Sequence, residues 1–390
     1  MGRLMSRVVR GQTPPWPAST RPPGRRSPHR AATVLVRGLL SVLLAGVAAS
    51  RARAVELDPA RPITRIAAGS CIRQDRPQPI WAGVAAFGPE VLLLLGDTIY
   101  GDTEDMAVLR EKYGRLAANA GFAAVRAKAP LVAVWDDHDY GANDAGREYP
   151  RRRESQQEFL DFFGVAVDSP LRKQEGIFRA VTVGPPGKRV QFICLDTRYH
   201  RSSLATLPRA ERVKGKGHYV PSEDPQQAVL GEEQWAWLAG ALREPAELRI
   251  VLSSIQVAAT EHRFEHWGNF PRERARLFKA LRDSAARGLI VVSGDRHAAE
   301  ISRVPPGDDG IDYPLFDLTA SSFNQSRGVR DDEPNRHRVG PRYGAINFGT
   351  IEIDWDAATP TVTLAIRDEQ AAVVHAERVP FAVLAPPAGR

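Results

Sequence analysis

Acidic, histidine and tyrosine side chains follow three short apolar segments of the chain. The segments with their polar ends are VLLLLGDTIYGD (91–102), LVAVWDDHDYG (131–141) and LIVVSGDRHAAE (289–300). Runs of about four to six Val, Leu, Ile and Ala residues are typical of strands buried on both faces, and open α/β sheets bind their ligands at the carboxyl ends of such strands. The polar residues expected at one edge are Asp97, Tyr100, Asp136, Asp137, His138, Asp295 and His297.

So many carboxylates would repel one another if they met without positive charge. A pair of metal ions among them would remove that repulsion, and the carboxylate of Asp97 can bridge two cations. Tyr100 would add a phenolate ligand, and Asp137 a further carboxylate. Asp295 and His297 stand two residues apart at a strand end, so both can turn toward one point. The pattern therefore predicts a two-metal site, although a helix cap at Asp97 and a core aromatic at Tyr100 are the plainer alternatives.

Two further side chains are candidates for catalysis. His138 would donate a proton to a leaving group or bind a substrate oxygen. Arg296, between two candidate ligands, would hold a phosphoryl oxygen through its guanidinium fork or pair with Glu300. In the loop that ends at Pro271, we expect Trp267 and Asn269 to line the mouth of the pocket.

The chain has two cysteines, Cys71 and Cys194. Cys71 follows the first predicted strand at the edge that carries the acids, so it is a candidate thiolate ligand. A buried core thiol and a disulfide with Cys194 are the alternatives for Cys71. Cys194 lies within a predicted strand, which favours a packed core thiol there.

The basic charge of the chain belongs to its first 54 residues. These residues contain ten arginines and no lysine, aspartate or glutamate. Without them 43 basic residues face 46 acidic ones, so the formal net charge falls from +7 to −3. No Lys/Arg stripe with interleaved aromatic residues remains, which argues against a nucleic-acid partner.

The same 54 residues are typical of a cleaved export signal. An Arg- and Pro-rich region precedes the apolar stretch 38–49, and Ala52, Arg53 and Ala54 place small residues at a cleavage site. The stretch is shorter than the roughly 20 residues that span a bilayer. Arg25 and Arg26 leave a twin-arginine route open beside an ordinary secretory one. We therefore expect a signal peptide at 1–54, an exported domain at 55–390 and no membrane span in the mature protein.

The remaining sequence alternates predicted strands and helices. Strands are expected at 63–68, before Asp97, before Asp137, at 177–183 and 190–196 as a hairpin, at 248–253 and before Asp295. Helices are expected at 79–87, 104–119, 154–163, 232–242 and from Pro271 onward. The tail, with strands at 315–320, 346–353 and 361–366, predicts an antiparallel return, and the polar segment 325–343 predicts a loop. The fold class is α/β, a layered sandwich with its helices outside.

Four motifs together resemble the PhoD-type alkaline phosphatases of the metallophosphatase superfamily. They are Gly69-Ser70-Cys71, Gly96-Asp97-x-x-Tyr100, Trp135-Asp136-Asp137-His138-Asp139 and Ser293-Gly294-Asp295-Arg296-His297. The resemblance implies a four-layer α/β/β/α metallophosphatase sandwich, export, and an iron(III) centre with calcium, with Mn, Zn and Co as alternatives. Carried over by motif, the implied ligands are Cys71, Asp97, Tyr100 and Asp295, with His297 and the loop from Asp137 to Asn143 nearby.

The resemblance implies hydrolysis of a small phosphoester by a hydroxide that two metal ions activate. The chain shows no Gly-x-Ser-x-Gly elbow, P-loop or Rossmann glycine pattern, which argues against other hydrolase and nucleotide-binding classes. Phosphodiesterase or phospholipase-D-like activity is one alternative, and a non-catalytic exported metal-binding protein is another. The short sequence on either side of the motifs suggests a more open pocket than in other members.

Overall fold

The computed structural model describes residues 56–284, 286–326, 328 and 333–386. The predicted signal peptide at 1–54 lies outside these ranges. Within them, no helix has the length and apolar character needed to cross a bilayer.

The described residues form two β-sheets. In chain order the strands are β1 Arg65–Gly69, β2 Val91–Leu95, β3 Leu131–Val134, β4 Arg179–Val183, β5 Val190–Cys194, β6 Leu248–Leu252, β7 Leu289–Ser293, β8 Ala299–Val304, β9 Leu315–Ala320, β10 Arg338–Tyr343, β11 Asn347–Asp354, β12 Thr361–Asp368 and β13 Val373–Pro380. The first sheet has the order β13-β12-β11-β1-β2-β3, and the second has β10-β8-β9-β7-β6-β5-β4. β1, β2 and β3 are parallel, as are β5, β6, β7 and β9, although β9, the first strand of the predicted tail, is also antiparallel to β8. β11 and β12 pair antiparallel as predicted, and β13, which was not predicted, pairs antiparallel with β12.

Helices cover the outer faces of both sheets. They are α1 Ile80–Phe87, α2 Met106–Ala117, α3 Ala120–Arg126, α4 Asp137–Tyr140, α5 Arg152–Phe162, α6 Glu232–Ala241 and α7 Pro271–Asp283. Alternate residues of the second sheet face opposite sides: Ile250 and Ile290 pack in the core shared with the first sheet, whereas Val251 and Val291 pack in a second core with α6 and α7. This alternation is consistent with the predicted α/β/β/α layering.

One local prediction is wrong, and one helix was not predicted. The helix expected at 104–119 is α2, and the further helix α3 follows it, where Asn119 caps α3 by accepting a hydrogen bond from the amide of Phe122 at 3.0 Å. The loop expected at 325–343 contains β10, which pairs antiparallel with β8. β10 is a polar edge strand with partly exposed residues and a proline, so it lacks the apolar run that identifies the central strands.

Candidate metal centre

Parallel pairing brings the polar ends of β1, β2 and β3 to one edge. Gly69 is level with Leu94, and Leu95 is level with Val134, so Cys71, Asp97 and Asp136 follow neighbouring strands within three residues of their ends. The strands β5, β6 and β7 of the second sheet are aligned in the same way. Because the buried apolar strands pair in regular register, the motif residues that follow them lie together at one edge of the sheet.

Gly96 lets the exit of β2 approach the exit of β3. Its φ is +95°, and a Cβ built on it would lie 2.3 Å from the Cβ of Asp136. Such a contact cannot exist, so any side chain at position 96 would displace one strand exit from the other. The glycine before Asp97 is therefore required by the spacing between the two strands.

Four candidate ligands have positive φ although they are not glycine. The φ values are 62° at Cys71, 48° at Asp97, 64° at Asp295 and 50° at His297. This conformation costs roughly 1–2 kcal/mol for each such residue, and strain of this kind clusters at functional sites. Hydrogen bonds hold the strained turns: the amide of Asp97 donates to Asp139 at 3.2 Å, and the amide of His297 donates to Ser321 at 2.9 Å.

The candidate ligands form three overlapping groups, each with ligand atoms within 4.8 Å of one another. Asp97 belongs to the first two groups and Asp137 to the last two, so the groups adjoin through shared carboxylates. The arrangement suits two neighbouring cations. The groups are Cys71–Asp97–His297, Asp97–Asp137–His138 and Asp136–Asp137–Asp295.

Tyr100 and Cys71 lie beside the first group. The hydroxyl of Tyr100 is 3.0 Å from Nε2 of His297, and the sulfur of Cys71 is 3.5 Å from Oδ2 of Asp97. Both cysteines are free and buried, so the disulfide considered from the sequence is wrong. Asn143 is exposed at the cavity wall, where its amide donates to Asp144; it is not part of the three groups.

The buried carboxylates outnumber the positive side chains beside them, which are Arg198, Arg296 and His138. Burial and then the neighbouring Asp137 and Asp136 raise the pKa of Asp97 well above its usual value, and burial raises the pKa of Asp295 to about 7. Oδ1 of Asp137 is buried without a hydrogen-bond partner among the described residues. A bound cation would pair with this oxygen and lower the repulsion, so the donor set fits metal ions.

His138 lies at the edge of the groups beside Asp102. Its Nδ1 is 2.7 Å from Oδ1 of Asp102, and its backbone amide donates to Asp97 at 3.3 Å. Burial alone would lower the pKa of His138, but Asp137 and Asp102 outweigh it and raise the pKa to about 9. The two carboxylates thus favour the protonated imidazole, which can give a proton.

Three contacts determine the position of the Arg296 guanidinium. Its guanidinium lies 4.2 Å from the centre of the Phe264 ring and pairs with Glu333. The alternative pairing with Glu300 is wrong, because the carboxylate of Glu300 binds Arg338. The remaining contact is a distance of 3.9 Å to the carboxylate of Asp295, which places Arg296 at the metal groups.

A cavity of about 560 Å³ opens above these residues. Trp267 and Asn269, expected at its mouth, are buried and do not line it: the indole of Trp267 donates to Ser253, and the side chain of Asn269 accepts from the amide of His266. The lining includes the predicted residues Asp97, Asp137, His138, Asn143, Asp295, Arg296 and His297. It also includes residues from the segment 209–219, which sequence reasoning missed.

Arg198 is a buried positive charge beside the candidate ligands. It is fully buried and pairs with Asp136, and it also binds Glu265 at 2.7 Å. Arg201 binds the same Glu265 at 3.0 Å. Only the position of Arg198 just after a strand at the same edge signalled its proximity to the acids.

The two packed sheets and the shared-ligand site define a two-sheet α/β protein with a candidate two-metal centre. Residues 67–336 match the PhoD-like phosphatase family, and because this is more than half of the chain, the protein belongs to that family. The resemblance stated from the four motifs is thereby confirmed. The name of the family agrees with the predicted reaction class.

Known relatives agree with this assignment. Alkaline phosphatase D of Bacillus subtilis (strain 168) is 23% identical over 216 residues, a segment that covers 50% of this chain and 36% of that protein. The chain thus matches about a third of the length of that curated relative.

Two solved structures share the fold. The structure of PhoD has a TM-score of 0.66 at 18% identity and covers 84% of this chain and 70% of its own. GAP50, the anchor in the inner membrane complex of Plasmodium, has a TM-score of 0.52 at 14% identity and covers 82% and 90%. At these identities the likeness is one of fold.

Proposed function

We propose that this protein is an exported, metal-dependent phosphoester hydrolase of the alkaline phosphatase D type. The observation that carries the proposal is the set of three metal-ligand groups that share Asp97 and Asp137 below a cavity lined by His138 and Arg296. Membership of the PhoD-like phosphatase family supports the same reaction class.

The chemistry of the donors favours two different metals. Cys71, His297 and the nearby phenol of Tyr100 offer sulfur, nitrogen and phenolate donors, which suit a transition metal such as iron(III). The group with Asp137 and Asp295 offers only carboxylate oxygens, which suit calcium. We therefore assign iron to the Cys71 side and calcium to the Asp295 side, with Mn, Zn and Co as the alternatives that metal analysis would reveal.

The bound cations, Arg296 and His138 each have a separate role in the proposed reaction. Bound cations supply positive charge for the phosphoryl oxygens and lower the pKa of a bound water. Arg296 holds a non-bridging phosphoryl oxygen through its guanidinium, which its stacking on Phe264 keeps in place. His138, protonated beside Asp102, gives its proton to the leaving oxygen as the phosphorus–oxygen bond breaks.

The substitution Asp97→Asn tests the proposal. It keeps the shape and one oxygen of the side chain but removes the charge that two of the ligand groups share. We expect the turnover of p-nitrophenyl phosphate to fall by more than about 100-fold. We also expect elemental analysis to show less bound metal, while circular dichroism stays unchanged.

Asp168→Asn is the matched control, because Asp168 is exposed and far along the chain from every motif. It should retain turnover and metal. Full activity in Asp97→Asn would contradict the proposal. Hydrolysis of bis-p-nitrophenyl phosphate, measured beside the monoester, shows whether the diester alternative describes the preferred substrate, and metal binding without turnover of either ester would favour the non-catalytic alternative.

We also propose export. The proposal is supported by the arginine-rich leader, its short apolar stretch and the small residues at 52–54. Recovery of a chain that begins at Val55 from outside the cytoplasm, identified by amino-terminal sequencing, would bear this out. Recovery of the intact leader on a cytoplasmic protein would overturn it.

A further inference from the structure

The segment 209–219 forms one wall of the cavity and has no counterpart among the predicted site residues. We name it the basic loop. It contributes Arg209, Arg212, Val213, Lys214, Gly215, Gly217, His218 and Tyr219 to the lining. The other walls carry the candidate metal ligands, so the loop faces whatever part of a substrate extends beyond the metals.

The loop is fixed at its base rather than free along its length. The amide of Leu207 donates to the carbonyl of His218 at 2.8 Å, and the amide of Tyr219 donates to the carbonyl of Arg263 at 2.9 Å. Gly217 has a φ of +72°, and a Cβ there would lie 2.2 Å from the carbonyl oxygen of Arg263. The loop therefore packs directly against the segment that supplies Phe264 and the rest of that wall.

A hydrogen-bonded chain links the loop to the metal ligands. The hydroxyl of Tyr219 donates to the carboxylate of Asp144. The amide of Asp144 donates in turn to Oδ2 of Asp137 at 2.6 Å. These hydrogen bonds fix the base of the loop relative to the metal groups. The charged residues of the loop therefore lie on one side of the cavity.

Three positive charges of the loop line the cavity and have no acidic partner among the described residues. Arg212 donates to the carbonyl of Leu207 and to the hydroxyl of Thr206, both at 2.9 Å and both neutral. In the part of the chain that the structure describes, the side chains of Arg209 and Lys214 have neither a hydrogen-bond nor an ion-pair partner. The cavity carboxylates of the metal groups would be neutralised by bound cations, and the other two that line the cavity have partners of their own: Asp144 accepts from Tyr219, and Glu265 binds Arg198 and Arg201. The three positive side chains of the loop therefore favour the binding of an anion from outside the protein.

We propose that the basic loop binds a second phosphate group of the substrate, so that the preferred substrate is a small phosphoester whose leaving group carries another phosphate. The proposal rests on the proposed function, because the scissile phosphate occupies the metal side and Arg296. A cavity of about 560 Å³ has the size of a small-molecule site. The net charge of −3 for residues 55–390 disfavours a long polyanion.

The test compares two probes that differ by one phosphate, adenosine 5′-monophosphate and adenosine 3′,5′-bisphosphate. With the metal-loaded protein we expect kcat/KM to be at least about 10-fold higher for the bisphosphate. The double variant Arg209→Gln, Lys214→Gln should bring the ratio of the two kcat/KM values close to one. Because the loop is exposed, the preference should also weaken between low and high ionic strength.

The matched control is Arg272→Gln, Lys279→Gln, which removes the same charge from the exposed surface of α7. It should keep the wild-type ratio. Turnover of both probes at equal kcat/KM in the wild-type protein, or a ratio that survives in the loop variant, would overturn the loop proposal and leave the proposed function intact. Absence of turnover on p-nitrophenyl phosphate and on both probes would overturn both proposals.

Discussion

At the scale of single residues, the contact between His138 and Asp102 offers the most direct test of the proposed reaction. The two side chains are 36 residues apart in the chain, yet Nδ1 of His138 is 2.7 Å from the carboxylate. Asp102 has a φ of +46°, which turns its exposed side chain back toward the histidine. The contact supports the charged imidazole that our mechanism uses as a proton donor.

The substitution Asp102→Asn should move the alkaline limb of the pH–rate profile to lower pH. Asp102 is one of the groups that raise the pKa of His138 to about 9, so its neutralisation lowers that pKa. Because the protonated form donates, activity is lost as the pH rises through the pKa of His138, and loss begins earlier in the variant. We expect a shift of about one unit in kcat profiles of p-nitrophenyl phosphate.

Glu104→Gln is the control, since Glu104 is exposed two residues away and does not contact the imidazole. Its profile should overlay that of the wild-type protein. An equal shift in both variants would point to a general effect of surface charge, and no shift in Asp102→Asn would remove His138 from the role of proton donor.

The site residues that could be predicted from the sequence are those that lie within one continuous motif. Asp97 and Asp137 each follow an apolar run, and the run itself indicates where the side chain emerges. The pairing of His138 with Asp102 was not predictable, because it depends on how α4 and the segment after β2 pack at the sheet edge. The basic loop was missed for the same reason: its charged residues are ordinary surface residues in sequence, and only the tertiary structure places them over the cavity.

At the scale of elements, the exits of β2 and β3 decide the geometry of the site. We predict that Gly96→Ala forces them apart, because the added Cβ would meet Asp136 at 2.3 Å and the backbone has a φ of +95°. Asp97 would then move away from Asp137. We expect a loss of about 2 kcal/mol in the free energy of unfolding, measured with urea, and a loss of about 100-fold in kcat.

Gly114→Ala makes the same chemical change where nothing lies within 4 Å of the new methyl group. Gly114 lies inside α2, so alanine should stabilise the helix by roughly 0.5–1 kcal/mol and leave kcat unchanged. Wild-type activity in Gly96→Ala would mean that the spacing of the two exits does not control the site.

The elements themselves were predictable where burial is complete. β2, β5, β6 and β7 are buried at every position, and their apolar runs identified them. β13, with the sequence VVHAERVP and several exposed residues, gave no such signal. An edge strand is stabilised by its pairing partner, here β12, and that partner lies outside the segment being read.

At the scale of the whole molecule, the fold alone does not fix an activity. The Plasmodium protein that shares this fold is described as an anchor, whereas alkaline phosphatase D of Bacillus subtilis is named as an enzyme. What connects this chain to the enzymes is the family match together with the ligand groups at the edge where both sheets meet. The candidate site therefore depends on how the two sheets are held together.

A buried ion cluster joins the two sheets at this edge. Asp136 follows β3 of the first sheet, Arg198 follows β5 of the second, and Glu265 lies between β6 and α7. Arg198 and Asp136 are fully buried, and Glu265 is 1% exposed. The cluster was not predictable from sequence, because its members come from three distant segments.

We predict that Arg198→Met destabilises the protein by about 3–5 kcal/mol in urea unfolding, because the carboxylate of Asp136 would stay buried without its positive partner, while Glu265 would keep only Arg201. Arg153→Met is the control: the pair of Arg153 with Glu175 is exposed, so its loss should cost less than about 1 kcal/mol. Equal and small losses in both variants would show that the sheets are held together by apolar packing alone. A large loss confined to Arg198→Met would show that the charge behind the metal site also binds one sheet to the other.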